Sequence, residues 1–240
     1  MNVVQIFEET PGSSRMVELA MKSCALARSA ATKAADGIAS RNALLLKTID
    51  DEEKELDRID REMDEAVVFA ITETTVREAR ELLACMKFVI DLERIGDLIC
   101  SFSCRAVAIL PRLADDDIRD FVRMATSLEQ MLANAEKAFR ERDINLAIKV
   151  LKADTEIDRL RNLVFIRHVE NHDHESHQES IQVLFMAQEL ERAGDHVKNL
   201  GEEVCHFVTG RTVRHVMRSQ DRSYEQLFID WLREKHKAHP

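Results

Sequence analysis

Glycine and proline together supply only nine of the 240 residues, where an average chain would carry about 12% of the two. A sheet protein needs such residues at each of its many turns, so a chain this poor in them is confined to long helices with few connections. The rest of the composition suits that outcome. It is 45% hydrophobic but only 5% aromatic, and 32% charged, which supplies aliphatic stripes for a core and charged faces for water and excludes general disorder.

The few breakers punctuate the chain. Pro11-Gly12-Ser13-Ser14 reads as a cap, followed by a helical pattern to about Ser40. A second helical segment is expected from about Asn42 to Thr72 and a third from about Thr75 to Leu110. Pro111, followed by Asp115-Asp116-Asp117, ends one helix and starts another, because acidic residues suit a helix N-terminus. The fourth segment runs from about Asp116 to Arg140, and Asp143 can cap a fifth that reaches about Val169. The polar, His-rich stretch Asn171 to Gln178 reads as a loop, and a sixth helix from about Glu179 to Val208 ends at Gly210. Residues 211–240 form a charged tail in which a short amphipathic helix is expected around Tyr224 to Glu234.

Six helices divided three and three invite a search for a repeat. Residues 91–97 read Asp-Leu-Glu-Arg-Ile-Gly-Asp and residues 189–195 read Glu-Leu-Glu-Arg-Ala-Gly-Asp, 98 residues apart and each in the third helix of its triplet. The fold class is therefore all-α: two tandem three-helix bundles over 14–111 and 115–210, expected to pack end to end with pseudo-twofold symmetry.

In each copy the acidic pair, Glu93 with Asp97 and Glu191 with Asp195, is four residues apart and shares a helix face. Like charges at that spacing cost a few tenths of a kcal/mol, and Gly96 and Gly194 each cost about 1 kcal/mol relative to Ala inside a helix. Paying both costs twice at equivalent places points to a close approach by another helix or a ligand. Hard cations are held by several carboxylates, more than one helix supplies. The second helix of the first triplet has a matching stripe of Glu53, Asp57, Asp60 and Asp64. In the second triplet Asp154 and Asp158 are followed on that face by Arg161 and Phe165, so that site is poorer in carboxylate.

The doubled [Asp/Glu]-Leu-Glu-Arg-x-Gly-Asp segments, with acidic partners on the preceding helices, resemble the PhoU family of phosphate-signalling proteins over about residues 14–210. The resemblance implies two tandem three-helix bundles and a metal cluster in each. Its ligands would be Asp60, Asp64, Glu93 and Asp97 in the first bundle and Asp154, Asp158, Glu191 and Asp195 in the second, with Asp57 as a possible addition. The ion would be divalent or trivalent, of the class of Fe, Mn, Mg or Zn. The family's Asp-Leu-Arg before the third helix stands here as Glu78-Ala79-Arg80, and its preceding proline is Thr74.

Other groups are open to two readings. His168, His172, His174 and His177 are either part of a solvated polar loop or ligands for zinc or nickel. His196 points about 100° away from Asp195 and is expected behind the acidic site or at the surface. Cys24, Cys85 and Cys205 read as small core residues. Cys100 and Cys104 continue the Glu93–Asp97 stripe and are expected in the core as well, the other reading being a site for a softer metal. No two cysteines form a Cys-x-x-Cys pair, and the odd number speaks against a disulfide framework. Arg94 and Arg192 are expected to neutralise acidic neighbours rather than bind phosphate.

The net charge of −10 opposes nucleic-acid binding, which depends on Lys and Arg at phosphates. No apolar run approaches the roughly 18 residues of a membrane span, and Met1 to Thr10 lack a basic-then-apolar leader, so a cytoplasmic protein is expected. No phosphate-binding Gly-x-x-x-x-Gly-Lys-[Ser/Thr] loop or Gly-x-Ser-x-Gly elbow is present. The resemblance implies a non-enzymatic regulator, here expected as a homodimer. It would act between the ATPase-driven phosphate ABC transporter and a phosphate-sensing histidine kinase, and would meet the membrane only through those partners. Three alternatives stand beside it: an accessory of an ion-coupled phosphate transporter, a structural helical adaptor, and a ferritin-like di-iron protein. The last needs two Glu-x-x-His motifs on separate helices, and only Glu203-x-x-His206 lies on a long one.

Overall fold

The computed structural model describes residues 11–70, 75–170 and 177–210. The expected tail helix at Tyr224 to Glu234, with His172 and His174, lies outside the described residues. The helices are α1 (Pro11–Ala39), α2 (Ala43–Lys47), α3 (Ile49–Ala70), α4 (Val76–Ile109), α5 (Asp115–Glu141), α6 (Ile144–Glu170) and α7 (His177–Thr209), and no strand occurs among the described residues.

Local chemistry sets most of the ends. Thr75 and Glu78 form a reciprocal capping box at the start of α4. Asp143 accepts hydrogen bonds from the backbone of Asn145 at 2.7 Å and of Leu146 at 3.3 Å, which starts α6, while Arg142 reverses the chain after α5 at φ 54°. Pro111 sits in a single 3-10 turn, Leu110–Arg112. The carbonyls of Leu110 and Leu113 there accept from the Arg41 guanidinium at 2.9 Å, which also meets Asp115.

The segment expected as one helix from Asn42 to Thr72 is interrupted at Thr48. Asn42 caps the five-residue α2 through Leu44 and Leu45, and Thr48 closes it by donating to the Leu45 carbonyl at 2.7 Å. The turn buries Leu46 completely and lays it against Gly37 of α1. Its carbonyl then accepts from the buried Ser103 hydroxyl at 2.6 Å. No Gly or Pro marks this break; a polar cap and the burial of one leucine make it.

Helices α1, α3 and α4 form the first bundle and α5, α6 and α7 the second, and a single continuous apolar core runs through both. The bundles lie side by side rather than end to end. Helix α1 packs on α5 and α4 on α7. The side-chain contacts Lys87–Glu203 (2.9 Å), Asp91–His196 (2.8 Å), Arg105–Glu189 (2.8 Å) and, in the turn just past α4, Arg112–Glu179 (3.0 Å) show α4 and α7 antiparallel along nearly their full lengths. The reason is burial: α1 carries a run of buried alanines from Ala20 to Ala35, and α4 and α7 are apolar on more than one face. An end-to-end arrangement would leave those faces in water, at about 25 cal/mol per Å². The Arg105 guanidinium also lies over the Phe185 ring, 4.8 Å from its centre.

Candidate functional site

Helices α3 and α4 run antiparallel, so the acidic stripe of one faces that of the other. Gly96 governs their approach: a Cβ there would lie 2.5 Å from Cδ1 of the buried Leu56. Around this contact stand Glu53, Asp57, Asp60 and Asp64 from α3 with Glu93 and Asp97 from α4. Burial, then Asp64 and Asp57, pushes the Asp60 carboxyl above its usual range. Glu93 is raised by burial and then by Asp97 and Asp60, and Glu53 by burial and then by Asp97 and Asp57. Half-buried carboxylates that raise one another's proton affinity lack sufficient positive charge nearby. Arg94 reaches Glu93 and Asp97 at 3.4 Å each, and Arg61 reaches Asp57 at 3.1 Å. Six oxygen-bearing side chains against two exposed arginines fit a hard cation in donor type and in charge. Among the described residues, however, no three His, Cys, Asp or Glu side chains are already gathered as ligands; they stand close enough to repel and would have to converge on an ion.

The second bundle differs. Asp158 is raised by burial and by Asp195, but Lys198 and Arg161 pull it down. Asp195 is exposed, and Glu191 accepts from the Gln188 amide at 2.6 Å. Arg161 bonds Gln188 at 3.0 Å and lies 6.0 Å from the Phe165 ring. Among the described side chains, Asp158, Glu191 and Asp195 thus stand beside Lys198 and Arg161, a smaller excess of carboxylate than in the first bundle. The side chain of Asp154 lies outside the described residues, and Gly194 is buried.

The histidines are dispersed. His168 is buried in α6, where it bonds Asp117 at 3.1 Å beside an Arg167 that pairs with Asp117 and Asp120. That network joins α6 to α5 and removes His168 from the expected loop cluster. His177 begins α7, and its side chain lies outside the described residues. His196 faces Asp91 of the first bundle, together with Asn199 at 3.2 Å. Its role is thus to join α7 to α4, which sequence spacing within α7 alone did not reveal.

Cys24, Cys85 and Cys205 are buried, whereas Cys104 is exposed and Cys100 only half-buried, so the core reading fails for that pair. The stripe they extend leaves the α3–α4 contact and opens into a groove of about 870 Å³ between α3, α4 and the start of α7. Glu53, Asp97, Arg105, Arg112 and Glu179 also line it.

The PhoU domain model matches twice, at residues 20–106 and 121–204, one match for each bundle. A Thermotoga maritima protein named phosphate-specific transport system accessory protein PhoU homolog 1 is 28% identical over 199 residues, covering 80% of this chain and 85% of its own. A Pseudomonas putida protein named as a PhoU homolog of the same system is 30% identical over 182 residues, covering 72% and 69%. The crystal structure of PhoU from Pseudomonas aeruginosa superposes with a TM-score of 0.78 at 21% identity, over 83% of this chain and 98% of that one. A phosphate transport system regulatory protein PhoU from Streptococcus pneumoniae gives 0.75 at 22%, over 84% and 97%. Two matches of one domain model, aligned with two bundles whose equivalent helices pair, leave one conclusion: the chain belongs to the PhoU family.

Proposed function

We propose that this chain is a non-enzymatic, metal-dependent regulator of phosphate uptake and phosphate-starvation signalling, acting between a phosphate ABC transporter and a sensor histidine kinase. The carrying observation is the doubled PhoU match to relatives named as accessory proteins of phosphate-specific transport. In this reading the protein works in the cytoplasm as a homodimer and meets the membrane through its partners. Among the described residues no helix is long and apolar enough to cross a membrane.

The chemistry follows from the first acidic cluster. A hard divalent or trivalent cation, of the class of Mn, Mg, Fe or Zn, would be held by Asp60, Asp64, Glu93 and Asp97, with Asp57 within reach. When bound, it supplies the positive charge these carboxylates lack. The chain's own residues do the rest. Leu56 against Gly96 fixes how closely α3 lies on α4. Arg94 partly offsets Glu93 and Asp97. The α4–α7 ion pairs fix the angle of the second bundle to the first. Such a fixed angle presents one rigid face to a partner.

The test is complementation. In a bacterium lacking its own PhoU protein, this chain should restore repression of a phosphate-starvation reporter at ample phosphate, and the Asp60→Asn/Asp97→Asn double variant should restore it less. No repression by the wild-type chain, expressed as folded protein and accompanied by no capture of a transporter ATPase or histidine kinase, would overturn the reading.

A further inference from the structure

The acidic rows of α3 and α4 turn apolar toward the end of α3 and the start of α4. On α4, Asp97 and Glu93 are followed, back along the same face, by Ile90, Met86 and Leu83, all five within about 80° of arc. On α3, Asp60 and Asp64 lead to Val67 and Val68 in the last turn. Gly96 lies against Leu56, so in this antiparallel pair Val67 and Val68 come beside Leu83 and Met86. Val68 is 66% exposed, Leu83 47% and Ile90 39%. Neighbouring apolar side chains left this open to water mark a contact surface.

The sequence beyond α7 has a matching form. Within 224–234, Tyr224, Leu227, Phe228, Trp231 and Leu232 fall within about 140° of a helix, the spacing of a helix that lays one face on an apolar surface. The chain's only tyrosine and only tryptophan are both in this stripe. Residues 211–223 connect it to the end of α7, and a flexible connection of that length spans about 20 Å. At its root a Cβ on Gly210 would come within 2.9 Å of the Arg80 guanidinium. Leu83 is one turn further along α4, and Ile90 lies about 15 Å beyond Arg80. The corresponding residues of the second bundle, Phe165, Ile181 and Phe185, are exposed too, but Phe185 is about 37 Å from Gly210 back along α7. The connection therefore favours the first bundle. Charge agrees: residues 211–240 carry seven Lys and Arg against four Asp and Glu, whereas residues 1–210 carry 27 against 40. So does order, since Arg233, Lys235 and Lys237 follow the apolar stripe as the acidic rows follow the apolar face.

We propose that residues 224–234 dock as an amphipathic helix, within their own chain, on the apolar face formed by Val67, Val68, Leu83, Met86 and Ile90. Phe228 and Trp231 then leave water against this face, and the basic residues after them stand over Asp60, Asp64 and Glu93. The tether holds the segment at an effective concentration on the order of millimolar, so docking is independent of protein concentration. The site requires no bound metal.

Trp231, as the only tryptophan, reports on this segment alone. In full-length protein its emission should be blue-shifted from that of a free tryptophan derivative and poorly quenched by acrylamide, with the same values at low and high protein concentration. Leu83→Asp/Ile90→Asp should shift the emission to the red and raise the quenching several-fold with unchanged helical circular dichroism, while Ile181→Asp/Phe185→Asp changes neither signal. A second measurement leaves both bundles untouched: Leu227→Asp/Phe228→Asp should increase hydroxyl-radical labelling of residues 83–90 over wild type, and not that of residues 181–185. Water-like emission in the wild type, emission indifferent to the α4 pair, or labelling of 83–90 unchanged by the tail variant overturns the proposal. A shift produced by the second-bundle pair, or one that grows with protein concentration, overturns it as well, by placing the segment on the other bundle or on a second copy.

Discussion

Replacing Asp97 by Asn tests the acidic cluster at one nearly isosteric atom change. In metal-free protein Asp97 faces Glu93 on its own helix and Glu53 across from it, and raises the proton affinity of both. Each partly exposed like-charge contact costs a few tenths of a kcal/mol. The substitution also gives up the 3.4 Å contact with the exposed Arg94, worth little at a solvated site. The net gain is about 0.5 kcal/mol, or about 1–2 °C in Tm for a chain of this length. With an ion at 100 times its Kd, wild type gains about 2.7 kcal/mol, which is about 5–10 °C. If losing one carboxylate weakens binding tenfold, the same ion concentration gives the variant about 1.4 kcal/mol, half the shift. Thermal melts of both proteins in chelator and in Mn²⁺ read all four values. Equal Mn²⁺ shifts in the two proteins, or a lower Tm for the variant in chelator, would refute the cluster as the binding place.

Three further outcomes are expected. Glu93, Asp60 and Glu53 have raised proton affinities in the fold, so their contribution is unfavourable above those values. Stability of the metal-free protein is gained as pH falls through them toward the ordinary value of about 4.3. Urea melts across that window should show a smaller gain for Glu93→Gln than for wild type, and identical slopes would contradict the assignment. Gly96→Ala should destabilise by about 1 kcal/mol, because crowding Leu56 costs about 1–3 kcal/mol against a helix-propensity gain of about 1; unchanged or higher stability in denaturant melts would show that Leu56 yields freely. Arg167→Met removes the guanidinium shared by the buried Asp117 and Asp120, leaving Asp117 its His168 contact, and should cost about 3–5 kcal/mol at pH 7, a loss under 1 kcal/mol in the same melts being the contrary result.

The helices were legible because their ends are marked by chemistry that sequence displays: Pro111, the capping acid Asp143, Gly210 and the near absence of other breakers. The break at Thr48 was hidden because Leu46 turns inward for tertiary reasons, toward Gly37 and Ser103. The acidic stripe of α3 and its facing pair on α4 could be read from spacing, as could the weaker second cluster, since Arg161 and Phe165 stand in the row itself. What one helix's periodicity cannot give is which neighbour covers it. Cys100 and Cys104 fall on a stripe that starts in a helix contact and ends in a groove, and His196 is claimed by Asp91 of the other bundle.

The antiparallel pairing of α4 with α7 joins two copies of one ancestral unit, as if a symmetric dimer had been tied into one chain. In a true dimer every interface substitution appears twice, so a contact and its mirror image must change together. Tethering lifts that constraint. Displaced by the repeat's 98 residues, Lys87 corresponds to Phe185 and Arg105 to Glu203. The ion pair Lys87–Glu203 on one side of the pseudo-axis is therefore the image of Arg105 stacked over Phe185 on the other. The two halves solve the same contact by different forces, and the acidic clusters have diverged in the same way. One half of the chain thus carries the denser carboxylate row, while the other sets arginine and aromatic surface at the equivalent places.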